Sequence, residues 1–455
     1  MSDLLAVGES ILKEHKKFKD LTAAEIFLES TITTTLRLER WQLKMGETTE
    51  EWGGAVRAIV GKGVGFSTLS HANLGSIAMQ AAVENARVAP PNEYATLPTV
   101  KKAPSIPGIY DKEVEDIEVD YLTDKLLQFR DSIDKKKLHS VIGTIRAIVR
   151  EIAVLNTHGV ERASKSTKLT FSGECHAKKG DNLTSAAETT YSSTTKSPMD
   201  TQEIGERIMA DALLQLEAKK VRSGNMDVVL HPLAVREIFG WVLAPEFLAH
   251  NILKKASPFV DKIGQQIGSE QVSLIDTGLS PDAYYPSGFD DEGYPRSNTT
   301  VVQKGVLKSF LYDSTTAKEA KTESTGNSGR FSVYSRRNYA FPPTCSTNRL
   351  TFQPGTATAE DLIKDVKYGI YLKYPIGAHS GDVASGIFNV APYICFLIEN
   401  GEKVGGIKKF VFSSSTSELL KKIAMVGRKV KSDAIEWNEQ VAGPHLMVED
   451  VKIVE

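Results

Sequence analysis

The chain of 455 residues has hydrophobic (41%) and charged (25%) contents typical of a globular protein, and a net charge of −2. A chain of this length exceeds the size at which one core keeps growing, so we expect two or three domains. The charge balance excludes a global basic field, and no apolar run approaches the roughly 18–20 residues that span a bilayer. Neither nucleic acid nor a membrane is therefore an expected partner.

The cysteines and the first twenty residues favour a cytoplasmic protein. Cys175, Cys345 and Cys395 are odd in number and far apart, which predicts neither a disulfide framework nor a Cys-x-x-Cys metal site. Asp3 and Glu9 interrupt the first apolar stretch, so it is typical of an amphipathic helix and not of a signal peptide.

Residues 1–195 are predicted to form an N-terminal domain that mixes helices and strands. The predicted helices lie over 4–18, 74–88, 122–133 and from 138 to 142. The predicted strands lie over 24–30, 33–40, 53–60 and 63–68, and then from 146 through a Ser/Thr-rich stretch to 195. Five prolines make 89–112 an extended surface segment.

Residues 196–226 are predicted to form a connecting helix, with Asp200 as its cap and Glu203 three positions on. Residues 227–455 are predicted to form a β-rich C-terminal domain. Its short strands are separated by Gly, Ser and Asn turns, and a helix is expected over 233–255. The fold class is therefore α+β.

The helix over 233–255 contains an incomplete metallopeptidase motif. A His-Glu-x-x-x-His motif would need its three residues at 245, 246 and 250, and the chain has Pro245, Glu246 and His250. Proline has no lone pair to offer a metal ion, and a useful metal site normally needs at least three protein ligands. Glu246 and His250 are four residues apart, which predicts a shared helix face. They are then either a remnant of an acid–base or ligand set or an ordinary surface pair behind a helix-starting proline.

Several further stretches, in this order and spacing, make the chain similar to the TldD/PmbA family of cytoplasmic, peptidase-related proteins, once described as modulators of DNA gyrase. The resemblance runs from about residue 21 to about residue 451. It is carried by Asn92-Glu-Tyr-Ala-Thr-Leu-Pro, Ser257-Pro-Phe with Lys262-Ile-Gly, Asp290-Asp-Glu-Gly, Thr325-Gly-Asn, Gly377-Ala-His-Ser-Gly-Asp with Ser385-Gly-Ile-Phe, and Ile398-Glu-Asn-Gly-Glu.

The resemblance implies a barrel-like C-terminal domain and a dimer around a central cavity that admits unfolded peptides. In the TldD branch, the metal is held by the His-Glu-x-x-x-His motif and a cysteine near the C-terminus, with the glutamate as general base. This chain has Pro245 at the first position, no cysteine after Cys395, and His445 in its tail. It therefore looks like the TldE (PmbA) branch, in which zinc is expected in a TldD-type partner and not in this chain.

The resemblance implies three functional hypotheses. The first is a metal-less subunit that grips extended peptide beside a TldD-type partner or a second copy of itself. Here Glu246 would be the candidate catalytic residue, His250 a degenerate metal ligand and His379 a peptide-binding residue. The second is a self-contained metallopeptidase that uses Glu246 and His250 with His379 or His445. The third is a non-enzymatic interaction protein that modulates a topoisomerase or a toxin–antitoxin system.

Overall fold

The computed structural model describes residues 4–196, 199–283, 285–331, 338–430 and 440–455. The predicted fold class is confirmed, since a mixed N-terminal region precedes a β-rich, barrel-containing C-terminal region. Within those ranges, no helix is both long enough and apolar enough to cross a membrane.

The N-terminal region is built on one antiparallel sheet with the strand order β3-β2-β1-β4-β5-β6. Its strands are β1 (Leu21–Glu39), β2 (Gln42–Val60), β3 (Gly63–Leu69), β4 (Ser140–Asn156), β5 (Glu161–Lys179) and β6 (Asn182–Ser192). The long β1–β2 hairpin turns through Arg40 and Trp41, both at positive φ. Positive φ at both central residues gives a turn whose twist matches that of the two strands.

Helices cover one face of this sheet because alternate strand residues are apolar. The helices are α1 (Leu4–Lys13), α2 (Gly75–Val88), α3 (Lys112–Glu115), α4 (Val119–Asp131) and α5 (Thr201–Leu214). Ile26 and Leu28 of β1 pack with α1 and α2, and Leu36 and Leu38 pack with α4 and α5. The connecting helix predicted within 196–226 is α5, which packs on β5 and β6 of the N-terminal sheet.

The C-terminal region contains a closed barrel. Its main sheet runs β15-β8-β21-β18-β16-β17-β7, and a further pairing of β15 with β16 closes five of these strands into a ring, while β19 pairs with β21. These strands are β7 (Ala218–Lys219), β8 (Gly224–Leu230), β15 (Tyr368–Ile376), β16 (Ile387–Glu399), β17 (Glu402–Ile407), β18 (Val411–Ser415), β19 (Ile423–Val426) and β21 (Leu446–Val454).

Most of the remaining C-terminal elements contribute to one large hydrophobic core with this barrel. A second sheet has the order β11-β10-β9-β14-β20, and β12 pairs with β13. These strands are β9 (Leu274–Thr277), β10 (Asn298–Gln303), β11 (Val306–Leu307), β12 (Ser328–Gly329), β13 (Thr344–Cys345), β14 (Leu350–Phe352) and β20 (Val441–Ala442). The helices are α6 (Pro232–Ile238), α7 (Ala244–Glu246), α8 (Ala249–Leu253), α9 (Ser314–Glu319), α10 (Ala359–Lys364) and α11 (Thr416–Lys422).

Four predicted elements differ from the structure. The strands predicted at 24–30 and 33–40 form the single strand β1, which pairs along its length with β2 and β4. The helix predicted from 138 to 142 is wrong, because β4 begins at Ser140 and its β-branched residues pair with both β1 and β5. The continuous helix predicted over 233–255 is also wrong, since it is divided into α6, a π-helical turn (Phe239–Leu243), α7 and α8.

A buried ion cluster of Glu25, Arg57, Glu292 and Arg330 joins the two regions. Glu25 of β1 accepts from Arg57 of β2 at 2.7 Å and from Arg330 at 2.6 Å. Arg57 also donates to Glu292 at 2.7 Å. All four residues are buried, and the Arg330 guanidinium also lies over the Phe27 ring. Because every charge is removed from water, each needs its partners to stay in place.

We expect Arg330→Met to lower the free energy of unfolding by about 3–5 kcal/mol, because it leaves a buried carboxylate with one partner fewer. Urea denaturation would measure the loss. The matched control is Arg87→Met, since Arg87 pairs with Asp20 where both side chains are nearly half exposed. This control should show no measurable loss. Equal effects of the two substitutions would contradict a stabilising role for the buried ion cluster.

Candidate functional site

The incomplete motif lies where the helical segment is interrupted twice, by a π-helical turn and by an extended residue. The π-helical turn leads into α7, which holds Pro245 and Glu246, and α8 begins at Ala249 before His250. Between them, Leu248 has the extended ψ of 128° and forms a parallel β-bridge with Leu311. The prediction that Glu246 and His250 share one helix face is therefore wrong, because a tertiary contact breaks the helix between them.

The Glu246 side chain points into the core. It is fully buried, and the Thr416 hydroxyl lies 2.8 and 2.9 Å from its two carboxylate oxygens. Gly386 packs against the same group, since a Cβ there would lie 2.9 Å from Glu246 Oε1. Burial raises the pKa of Glu246 well above its ordinary value; Thr416 opposes the shift and Asp382 adds to it. Burial thus favours a neutral carboxyl that is shielded from solvent.

His250 is half-buried and presents one unused ring nitrogen. Its Nδ1 is buried without a hydrogen-bond partner in the described part of the chain. Burial lowers the pKa of His250, and Lys254 lowers it further. The imidazole is therefore held toward its neutral form, the form in which histidine binds metals.

His379 lies on the surface in the short turn Ala378–Ser380, at the start of the loop that brings Gly386 to Glu246. Its ring centroid is 6.2 Å from that of Trp241, and Trp241 Nε1 donates to Glu237 at 2.9 Å. Burial raises the pKa of Glu237, which His379 and Arg236 partly oppose. An exposed imidazole beside an indole ring can contact a ligand, so the structure leaves His379 available for peptide binding.

His445 lies in a different aromatic cluster. Its Nε2 is 3.1 Å from the Tyr371 hydroxyl, and its ring centroid is 5.0 Å from that of His231. His231 caps α6 by accepting from Leu233 N.

The donor groups do not fit the zinc that the family resemblance implies. The Pro245 side chain offers no donor atom, and Glu246 accepts a hydrogen bond from Thr416. Only His250 of the motif presents a free nitrogen. Cys395 is fully buried in β16, and Cys345 Sγ donates to Leu311 O. Across the described residues, no group of three His, Cys, Asp or Glu side chains could hold a metal ion.

Two contacts of this site were missed by the sequence analysis. The sequence gives no indication of the contact of Thr416 with Glu246, because the two residues are 170 positions apart. The stretch from Ser385 was marked by the family resemblance, and its Gly386 has a positive φ of 74°. That conformation, together with the closeness of Glu246, explains why glycine is required there.

Comparisons with known proteins decide the family. The model of the PmbA/TldA metallopeptidase C-terminal domain matches residues 223–455, and that of PmbA/TldA metallopeptidase domain 1 matches residues 24–89. The chain belongs to the TldD/PmbA family. A metalloprotease TldD homolog of Buchnera aphidicola is 28% identical over 91% of this chain and 87% of its own length. An uncharacterized protein of Methanocaldococcus jannaschii is 26% identical over 92% of this chain and 93% of its own length.

Solved structures of the family share the whole fold. TldE from Thermococcus kodakarensis superposes with a TM-score of 0.88 at 23% identity, covering 99% of this chain and 100% of its own. A protein of Thermotoga maritima, described as a proposed modulator of a DNA gyrase, superposes with a TM-score of 0.86 at 22% identity, with the same coverage. At these identities, the superpositions establish the fold, and the family places this chain among peptidase-related proteins.

The environment of Glu246 predicts a pH-dependent difference in stability between the natural chain and Glu246→Gln. A carboxyl whose pKa is raised on folding stabilises the folded state below its unfolded pKa of about 4.3, and this contribution is lost as pH rises through the raised pKa. The natural chain should lose up to about 1.4 kcal/mol per pH unit relative to Glu246→Gln above pH ~4.3. Urea denaturation at several pH values would measure this difference, and a pH-independent difference would contradict a buried, neutral Glu246.

The contact with Thr416 can be tested separately. Thr416→Val should lower the free energy of unfolding by about 1–3 kcal/mol, because it leaves the buried carboxyl without its donor. Thr416→Ser retains the hydroxyl and serves as the control, which should lose much less. Equal losses in thermal or urea denaturation would contradict a specific contribution of the hydrogen bond to stability.

Proposed function

We propose that this chain is the metal-less, TldE-like subunit of a cytoplasmic peptidase complex in which a TldD-type partner binds zinc. The single observation that supports the proposal is the geometry around Pro245. A proline stands at the first ligand position, the motif glutamate is buried against Thr416, and the helix breaks before His250. In this arrangement Glu246 is a buried core residue, and His250 is an incomplete remnant of a ligand set.

The subunit would contribute peptide binding. An unfolded or modified peptide could add as a strand to an exposed sheet edge, where main-chain hydrogen bonds supply affinity without requiring one sequence. The outer edge of β2 could accept such a strand, because β3 pairs only with Gly54–Val60 of β2. In the described ranges, no other strand pairs with that edge from Gln42 to Gly53. His379 beside Trp241 would be a further peptide contact.

A self-contained metallopeptidase is less well supported. It would need His379 or His445 as a further ligand beside Glu246 and His250. His445 is hydrogen-bonded to Tyr371, and the described residues bring together no set of three metal-binding side chains. A role on a topoisomerase or a toxin–antitoxin system rests only on the family resemblance and on the description of the Thermotoga maritima protein.

Metal content tests the proposal directly. The isolated chain, purified without chelator and analysed by inductively coupled plasma mass spectrometry, should contain far less than one zinc per chain. His250→Ala should leave this content unchanged. One tightly held zinc per chain, lost in His250→Ala, would overturn the metal-less assignment.

Co-purification from the native host tests the partner. A tagged chain should bring with it a polypeptide that has the intact His-Glu-x-x-x-His motif, and the complex should cleave unfolded peptides that the isolated chain does not cleave. Recovery of this chain only with copies of itself would support the homodimer and contradict the TldD-type partner.

A further inference from the structure

A polar groove lies on the face of the N-terminal sheet opposite α1, α2, α4 and α5. Its volume is about 350 Å³, within the range of small-molecule and peptide sites. Thr31, Thr33 and Thr35 of β1 form its floor, and the neighbouring strands β2 and β4 form its walls. Because alternate residues of a strand face the same side, the three hydroxyls recur about every 7 Å along the groove.

The two walls carry opposite charges. Thr31 pairs with Glu51 on one side and with Arg150 on the other. Four residues along β1, Thr35 pairs with Glu47 and Arg146 in the same order. The β2 wall is therefore acidic and the β4 wall basic, two strand spacings or about 10 Å apart.

Arg150, which lines this groove, has an unused hydrogen-bond donor. Its side chain is only 6% exposed, and its Nε donates to Glu29 at 2.5 Å. Its guanidinium lies 4.8 Å from the centre of the Tyr285 ring. Its Nη2 is buried and has no partner within the described residues. A buried guanidinium N–H without an acceptor is unfavourable, and a bound carboxylate would supply the acceptor.

We infer that this groove binds a carboxylate of an extended peptide, with Arg150 Nη2 as the donor to it. The inference rests on the proposed function in taking a peptide as ligand, and it adds a specificity for acidic groups. The run of hydroxyls along β1 matches the two-residue repeat of an extended chain. The acidic β2 wall would face the N–H groups or a basic side chain of the same peptide.

Fluorescence anisotropy with the purified full chain tests this inference. The probes are three labelled hexapeptides of Thr and Val: one with a free C-terminus, one amidated, and one amidated with a central Glu. One or both of the carboxylate-bearing peptides should bind at least about tenfold more tightly than the neutral amide, as expected for one charge-assisted hydrogen bond. Which of the two does so identifies the source of the carboxylate. Equal affinity for all three peptides would overturn the inference.

Two substitutions locate the binding. Arg150→Lys keeps the positive charge beside Glu29 but removes the Nη2 donor of the guanidinium. The preference for carboxylate should therefore fall about tenfold. Thr33→Trp fills the floor and leaves the ion pair intact, so it should abolish binding. Its control is Thr34→Trp, because Thr34 is on the opposite face, 3.0 Å from the Thr48 hydroxyl. This control should bind normally. Unchanged binding in Thr33→Trp would overturn the inference.

Sedimentation of the same variants separates a peptide from a second copy of the chain. If Thr33→Trp abolished self-association and left peptide binding intact, the groove would be a subunit contact and the inference would be wrong. None of these measurements requires metal or proteolysis. Failure here would leave the metal-less subunit proposal standing, and a zinc-loaded chain could still bind carboxylates in the groove.

Discussion

The buried ion cluster of Glu25, Arg57, Glu292 and Arg330 fixes how the N-terminal sheet meets the C-terminal region. Glu25 and Arg57 pair within the N-terminal sheet. Glu292 and Arg330 come from two C-terminal loops and reach these partners only when both regions are folded and in contact. The loops that carry Glu292 and Arg330 lie close in sequence to Tyr285 and Tyr339, which line the groove. The ion cluster therefore both joins the two regions and holds the loops that complete the groove.

The region around Pro245 illustrates how a ligand position can become part of a core. Pro245 offers no side-chain atom to a metal, so no metal ion holds Glu246 at a ligand site. A carboxyl can then be buried if it is neutral and hydrogen-bonded. Thr416 supplies that bond, and Gly386 leaves the necessary space. The break at Leu248 then places His250 on a separate helix. The site combines a buried, hydrogen-bonded carboxyl with a histidine that retains one unused nitrogen.

Features set by local pattern could be predicted from the sequence, and features set by distant contacts could not. The Asp200 cap of α5 is a local feature, and it agrees with the structure. The segment at 138–142 was assigned to a helix because its pairing with β1 and β5 is not visible in five residues. Likewise, the break at Leu248 depends on Leu311, and the burial of Glu246 depends on Thr416. The incomplete motif was recognised from the sequence, but the positions of its side chains could be known only from the folded structure.

The unpaired nitrogen of Arg150 connects the groove with the proposed function of the chain. A buried donor without a partner lowers the stability of the folded chain. Departures from good internal pairing tend to be found where a protein binds something. In a two-subunit peptidase, binding energy from parts of the substrate remote from the reacting bond can position that bond for cleavage. A subunit without metal could thus raise the rate of cleavage at its partner's metal by fixing an acidic group of the peptide.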